Sequence, residues 1–273
     1  MRRHLWSLVL VTLFFSCKKQ GEPVQLPTPA PPPPPVLLKD VVVDRLPAPY
    51  YHFEYDGSKR VSFVSFASEL TRYDVIYDGG RISEMRNNIL VNKDRIQYTY
   101  GTSGRVEFIK YADSTGLVYK TLDLLYDGSR LTTINRAKRV VGGFIFEKTT
   151  TLTYYADGNL KDITHHYLPI DGQPEQQFTI HYDRYDDKVN VDGFNLLHSE
   201  FFDHLFLLPD VQLQKNNPGT ETYTGDGDNY TVNYTYTYNG QNAPLTKSGD
   251  LVFVTGPLTG RHYALATTFS YYQ

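Results

Sequence analysis

The 273 residues include one cysteine, two methionines and one tryptophan. A lone cysteine closes no disulfide within the chain, so the fold must be held by its core. No apolar run reaches the roughly 20 residues a helix needs to cross the ~30 Å hydrocarbon layer of a bilayer. An HExxH pair, a phosphate loop and a nucleophile elbow are all missing, and with them the usual signatures of zinc-protease, nucleotide and serine-hydrolase chemistry. No motif calls for a cofactor. Basic charge is not in excess either: 27 Lys and Arg stand against 30 Asp and Glu, for a net charge of −3. That balance argues against a nucleic-acid partner.

What is present begins with an address. Met1-Arg2-Arg3-His4 is a short basic stretch, and the eleven residues Leu5 to Phe15 are almost wholly apolar, the layout of a secretory signal. Leu13-Phe14-Phe15-Ser16-Cys17 looks like a bacterial lipobox, in which the thiol of Cys17 is acylated and becomes the new N-terminus. Residues 1–16 are then a lipoprotein signal peptide. The alternative is a plain signal with an incidental thiol. Lys18 stands where an aspartate retains typical lipoproteins in the inner membrane, so the expected location is the outer membrane, through the N-terminal lipid. KKQGEP does not decide between the periplasmic side and the cell surface. Eight of the 16 prolines lie between Pro23 and Pro35. Proline fixes φ and donates no hydrogen bond, so residues 17–48 read as an extended tether running from Cys17.

The remainder, 49–273, reads as a single β-meander domain. The chain carries 23 tyrosines and 15 phenylalanines, and many fall at period two. Tyr51, Phe53 and Tyr55 alternate; so do Tyr73, Val75 and Tyr77, and Val232, Tyr234, Tyr236 and Tyr238. This is strand periodicity. Between the runs a turn recurs: YDGSKRV at Tyr55, YDGGRI at Tyr77, YGTSGRV at Tyr100, YDGSRL at Tyr126 and YADGNL at Tyr155. Asp-Gly flanked by alternating runs marks a hairpin, because glycine takes positive φ freely and aspartate caps its own turn. The repeats predict an all-β fold, a large antiparallel meander of about a dozen strands, strongly curved or closed in part as a barrel, since wide sheets seldom stay flat. Residues 195–208, NLLHSEFFDHLFLL, depart from the pattern. Leu197, Phe201 and Leu205 lie four apart, which predicts one amphipathic helix stopped by Pro209.

The lipobox, the serial YDGxRL hairpins, the Leu/Phe helix, NNPG and YTYNGQNAPL together resemble a family of Bacteroidota lipoproteins whose domain has no assigned function. The resemblance covers about 50–273 and implies a porin-like or open-barrel β fold and an envelope address. It implies no catalytic residues. The hairpins also resemble the YD repeats of Rhs-type shells, whose arrays are far longer.

Few residues single themselves out for chemistry. The aspartates and arginines of the turns read as scaffold, the arginines in exposed cross-strand pairs. Asp226 and Asp228 offer clustered oxygens of a kind Ca²⁺ takes, without EF-hand spacing, so a polar turn is the simpler reading. Three functions stay open. The first is a non-catalytic binding or scaffold module that presents aromatic residues such as Tyr234, Tyr236 and Tyr238 to a glycan or an envelope protein. The second is a carrier sheltering a lipid or acyl chain in the concavity, with Phe201 and Phe202 on a lid. The third is an enzyme acting on envelope glycan.

Overall fold

The computed structural model describes residues 36–89, 93–191 and 207–273. Sixteen strands run in chain order. The first eight are β1 (Leu38–Val43), β2 (Tyr51–Tyr55), β3 (Val61–Phe66), β4 (Thr71–Asp78), β5 (Arg81–Asn87), β6 (Arg95–Tyr100), β7 (Val106–Ala112) and β8 (Val118–Asp127). The rest are β9 (Arg130–Val140), β10 (Gly143–Tyr154), β11 (Leu160–Tyr167), β12 (Gln176–Asp183), β13 (Thr220–Gly225), β14 (Asn229–Tyr238), β15 (Pro244–Thr255) and β16 (His262–Tyr271). Each pairs antiparallel with its neighbour in sequence, and β1 pairs with β16, so the sheet closes into a complete barrel.

The meander is therefore longer than a dozen strands, and its closure is full. One boundary moves. Leu38–Val43, placed by composition in the tether, is the first strand and the seam of the barrel, with Val41 opposite Phe269. A short Val-rich run directly after the proline block carries little signal of its own, and only its pairing with β16 makes it a strand. The expected helix at 195–208 falls outside the described residues except for its last two; among the described residues, regular structure is all β.

The repeated turn has a specific mechanical role. In the first copy, Oδ1 of Asp56 accepts the backbone N–H of Ser58 (2.9 Å) and of Arg60 (3.0 Å), closing the turn from inside. Asp113 and Asn239 cap other turns in the same manner. In the second copy, Gly79 and Gly80 have φ of 55° and 88°, the pair of positive values a two-residue hairpin loop demands. The tyrosine opening each copy then reaches back to the previous one. Tyr77 donates its hydroxyl to the carbonyl of Val61 (2.9 Å), Tyr100 to Ile82 (2.9 Å), Tyr126 to Val106 (2.8 Å) and Tyr154 to Leu131 (2.6 Å). Over each of these rings lies the arginine of the previous copy, with Arg60 4.1 Å from Tyr77, Arg81 5.2 Å from Tyr100, Arg105 5.7 Å from Tyr126 and Arg130 5.6 Å from Tyr154. The arginines thus lie over aromatic rings of the next hairpin, in place of the expected row of cross-strand ion pairs; Arg60 also binds its own Asp56 (2.7 Å). Tyr154, and not the adjacent Tyr155, is the ladder residue of its copy.

The ladder sets a stability order. Tyr126→Phe leaves the carbonyl of the buried Val106 without its donor and should cost about 1–3 kcal/mol in denaturant unfolding. Arg105→Ala removes a half-exposed cation–π contact and should cost about 0.5–1 kcal/mol. The phenols also predict a base limit. Burial pushes Tyr55 and Tyr126 up to about 12, from an ordinary value of 10.0. A raised folded pKa means this stabilisation is full below pH 10 and is lost as pH rises through 12. Phenolate absorbance should show a class of tyrosines that stay protonated at about pH 11 and ionise only as the fold is lost, whereas unfolded tyrosines titrate near 10.

Candidate functional site

Alternation gives the barrel two unlike walls. Residues directly opposite across strands share a face, so the row Phe53–Val64–Tyr73–Asn87 and the row Tyr98–Ile109–Leu122 fix the inner wall on buried positions. The intervening rows point outward and carry Glu54, Arg72, Asp74, Glu84, Arg86 and Lys110. A barrel that spans a bilayer needs an apolar outer band ~25 Å tall, and each Arg or Lys at its midplane costs about 2–4 kcal/mol. This outer wall provides no such band on these strands.

The repeated turns gather at one end of the barrel. Loops 184–191 and 207–219 lie beside them, held by a side-chain amide network. Asn217 donates to Asp186 (3.2 Å) and to the carbonyl of Val189 (3.2 Å), and the backbone N–H of Lys215 and of Asn216 donates to Oδ1 of Asn159 (2.9 and 3.0 Å). The NNPG motif is thus a structural clasp.

At the opposite end the inner wall carries a belt of rings on six adjacent strands, β11 to β16. Tyr167 and Phe178 have centroids 6.0 Å apart, Phe178 and Tyr223 5.1 Å, Tyr223 and Tyr230 5.0 Å, Tyr230 and Phe253 6.0 Å, and Phe253 and Tyr263 5.8 Å. Tyr263 and Leu265 face inward by register yet are 39% and 38% exposed, so water reaches the lumen beside them. Glycines make room for the rings. A Cβ on Gly225 would lie 2.6 Å from Cβ of Phe178, and one on Gly249 would meet Val232 at 2.9 Å and the Tyr234 ring at 3.0 Å.

On β8, β9 and β10 the same end of the inner wall carries the basic side chains Lys120, Arg136, Lys138 and Lys148. Arg136 pairs with Glu147 (2.7 Å) and Lys138 with Asp171 (2.7 Å). A lysine at period two among apolar residues, as in Lys120-Thr121-Leu122-Asp123-Leu124, is the signal that sequence reading passed over. The belt was missed because its rings lie on different strands.

Tyr234, Tyr236 and Tyr238 face the lumen, not an outward sheet surface. Their hydroxyls are committed to Glu221 (2.9 Å), to the carbonyl of Pro218 (2.9 Å) and to Asp186. Burial first, and then the Glu221 carboxylate, raise the Tyr234 phenol well above its ordinary range. Asp228 accepts the N–H of Leu258 (2.9 Å), which ties the β13–β14 turn to the β15–β16 turn, and Asp226 sits at the exposed tip of the former. Among the described residues no group of three or more His, Cys, Asp or Glu could hold a metal. Phe201, Phe202 and Cys17 lie outside the described residues.

No protein-family model matches the chain, and no curated protein matches it. Solved structures do. A porin-like protein from Bacteroides vulgatus ATCC 8482 superposes with a TM-score of 0.58 at 16% identity, over 86% of this chain and 99% of that one. This is a porin-like fold. A porin-like protein from Bacteroides uniformis ATCC 8492 gives 0.56 at 12% identity, over 87% of this chain and 95% of that one. The likeness is one of fold, and the porin-like barrel of this chain has its apolar side inward.

Gly249→Ala should destabilise the barrel by about 1–3 kcal/mol, because the added methyl is forced against Val232 and the ring of Tyr234. Thermal unfolding measures it, and an unchanged Tm would mean that the inner wall is slack at this point.

Proposed function

We propose that the chain is a lipid-anchored, non-catalytic protein of the cell envelope whose barrel binds a glycan on the aromatic belt of its inner wall. The carrying observation is the run of partly exposed rings from Tyr167 to Tyr263, spaced 5.0–6.0 Å on adjacent strands and reached by water at one end of the lumen. The rings pack on one another, stacked at Tyr223–Tyr230 and edge-to-face at Tyr230–Phe253 and Phe253–Tyr263. Their partly exposed edges and faces form an apolar strip on which the apolar faces of sugar units can lie. The site differs from the outward-facing sheet expected at first, since the tyrosines line the inside. The lipobox at Cys17 and the polar outer wall support an anchor through the N-terminus, with the barrel itself in water. Glu147 and Glu221, the inward carboxylates of β10 and β13, are bonded to a guanidinium and to phenols, which favours binding over acid–base chemistry.

A second reading has its own observation. A cavity of about 370 Å³ lies at the turn end, lined by Leu38, Phe53, Val61, Val189, Val191 and Leu207, and its apolar walls suit an acyl chain.

Two experiments test these readings. Metabolic labelling with a fatty acid should mark the wild-type chain and not Cys17→Ala, which should leave the membrane fraction; an unlabelled wild type removes the anchor. Full chain in detergent should bind oligosaccharides on a glycan array, with Tyr230→Ala plus Phe253→Ala weakening affinity about tenfold. Lack of glycan binding, together with a co-purifying lipid in native mass spectrometry, would turn the assignment to the carrier.

A further inference from the structure

We propose that the outer wall carries a second binding site, a groove across β7 to β10 that takes a small amphipathic carboxylate with an aromatic body. It lies outside the lumen and does not depend on the glycan reading.

The groove follows from register. Outward-facing residues pair in rows, and one row runs Lys110–Thr121–Ala137–Phe146 across β7, β8, β9 and β10. Its two middle members are small. The row on one side sets Phe108 opposite Asp123, and the row on the other sets Phe144 opposite Arg139. Small residues between large ones leave a trough, and Ala137 on its floor is only 5% exposed although it faces away from the lumen. Bulges between Tyr111 and Ala112 and between Phe146 and Lys148 flank the trough, and bulged strands bend. The resulting cavity has a volume of about 510 Å³, within the range of roughly 300–1,000 Å³ usual for small-molecule sites.

The chemistry of the lining selects the ligand. Phe144 and Phe146 are 43% and 58% exposed and stand with Phe108 and Val118 around one trough. Single apolar residues on a surface need no explanation, whereas a grouped set lining a depression does. The set is no lipid-facing band, since it is confined to four strands and charged side chains interrupt it. Lys110 lies 5.8 Å from the Phe108 ring and Arg139 5.7 Å from the Phe144 ring, so each cation borders an apolar wall. Arg139 donates to the carbonyl of Val118 (3.4 Å). Among the described residues neither cation enters an ion pair, and Asp123, the one carboxylate of the lining, pairs with neither. The groove is therefore apolar at its floor and positive at its rim. Phenylalanine rings over a small floor suit a flat apolar body, and the two cations suit one carboxylate held by charge-assisted hydrogen bonds.

The test titrates 2-naphthoate into the full chain in detergent and follows its backbone amides by NMR. The wild type should bind 2-naphthoate about tenfold more tightly than 2-naphthamide, which has the same rings without the charge. Lys110→Gln plus Arg139→Gln should lose that preference while keeping the affinity for the amide, and Phe146→Ala should weaken both ligands alike. All three side chains lie on the outer surface, so both variants should melt as the wild type does. Equal binding of acid and amide by the wild type, or an affinity for naphthoate that neither variant changes, overturns the site. Tighter binding of 2-naphthylmethylamine than of naphthoate would place a cation against Asp123 and overturn the carboxylate. No residue varied here faces the lumen, so the glycan reading stands or falls separately.

Discussion

A tyrosine hydroxyl reaching one hairpin back is the contact on which the barrel depends. From Tyr77 to Tyr154 the phenol donates to a backbone carbonyl of the preceding hairpin, and the arginine of that hairpin covers the ring. Each bond fixes the position of one hairpin against the next, in a direction the strand ladder alone leaves free to slide. The same device continues at the ends of the array, where Tyr185 donates to Leu160 and Tyr55 to Leu38, and Tyr272, directly after β16, donates to Phe53 across the seam (3.0 Å). Closure removes the exposed edges that an open sheet of this width would present.

Once the register is fixed, the chemistry of the walls follows. Tyrosine suits the inner wall because its ring fills space while its hydroxyl finds a carbonyl or carboxylate at the end. The charged residues of the alternating positions go to water. The result shares its fold with porin-like proteins, while on β2 to β7 the outward rows carry charges where a lipid-facing barrel requires an apolar band. The lumen is lined by aromatic rings on β11 to β16 and carries basic side chains on β8 to β10. These two regions meet at Tyr167, over whose ring Arg136 and Lys148 lie.

Much of this was legible in the sequence. Period-two tyrosines gave the strands, Asp-Gly gave the hairpins, and the serial spacing gave the meander. Three things were not. The face a tyrosine takes cannot be read from alternation, because a ring with a polar tip is tolerated on either side; Tyr234, Tyr236 and Tyr238 turned inward because Glu221, Pro218 and Asp186 wait there. Full closure depended on Leu38–Val43, a short strand whose partner lies at the far end of the domain. Tyr154 and Tyr155 are neighbours on opposite faces, and the bulge between Thr153 and Tyr154 decides which one joins the ladder. The cations were visible as types but not as a group, since Lys120, Arg136, Lys138 and Lys148 meet only through the pairing of three strands.

The most direct measurement is paramagnetic relaxation of backbone amides in the full chain held in detergent micelles, with one probe dissolved in water and another in the micelle. A barrel with a wet outer wall and a lined interior predicts that the water-soluble probe broadens outward-facing amides all around β2 to β16, while the micelle probe affects only the N-terminal region. A continuous belt of amides shielded from the aqueous probe and broadened by the micelle probe would show a lipid-facing wall, and would contradict a barrel with its apolar side inward.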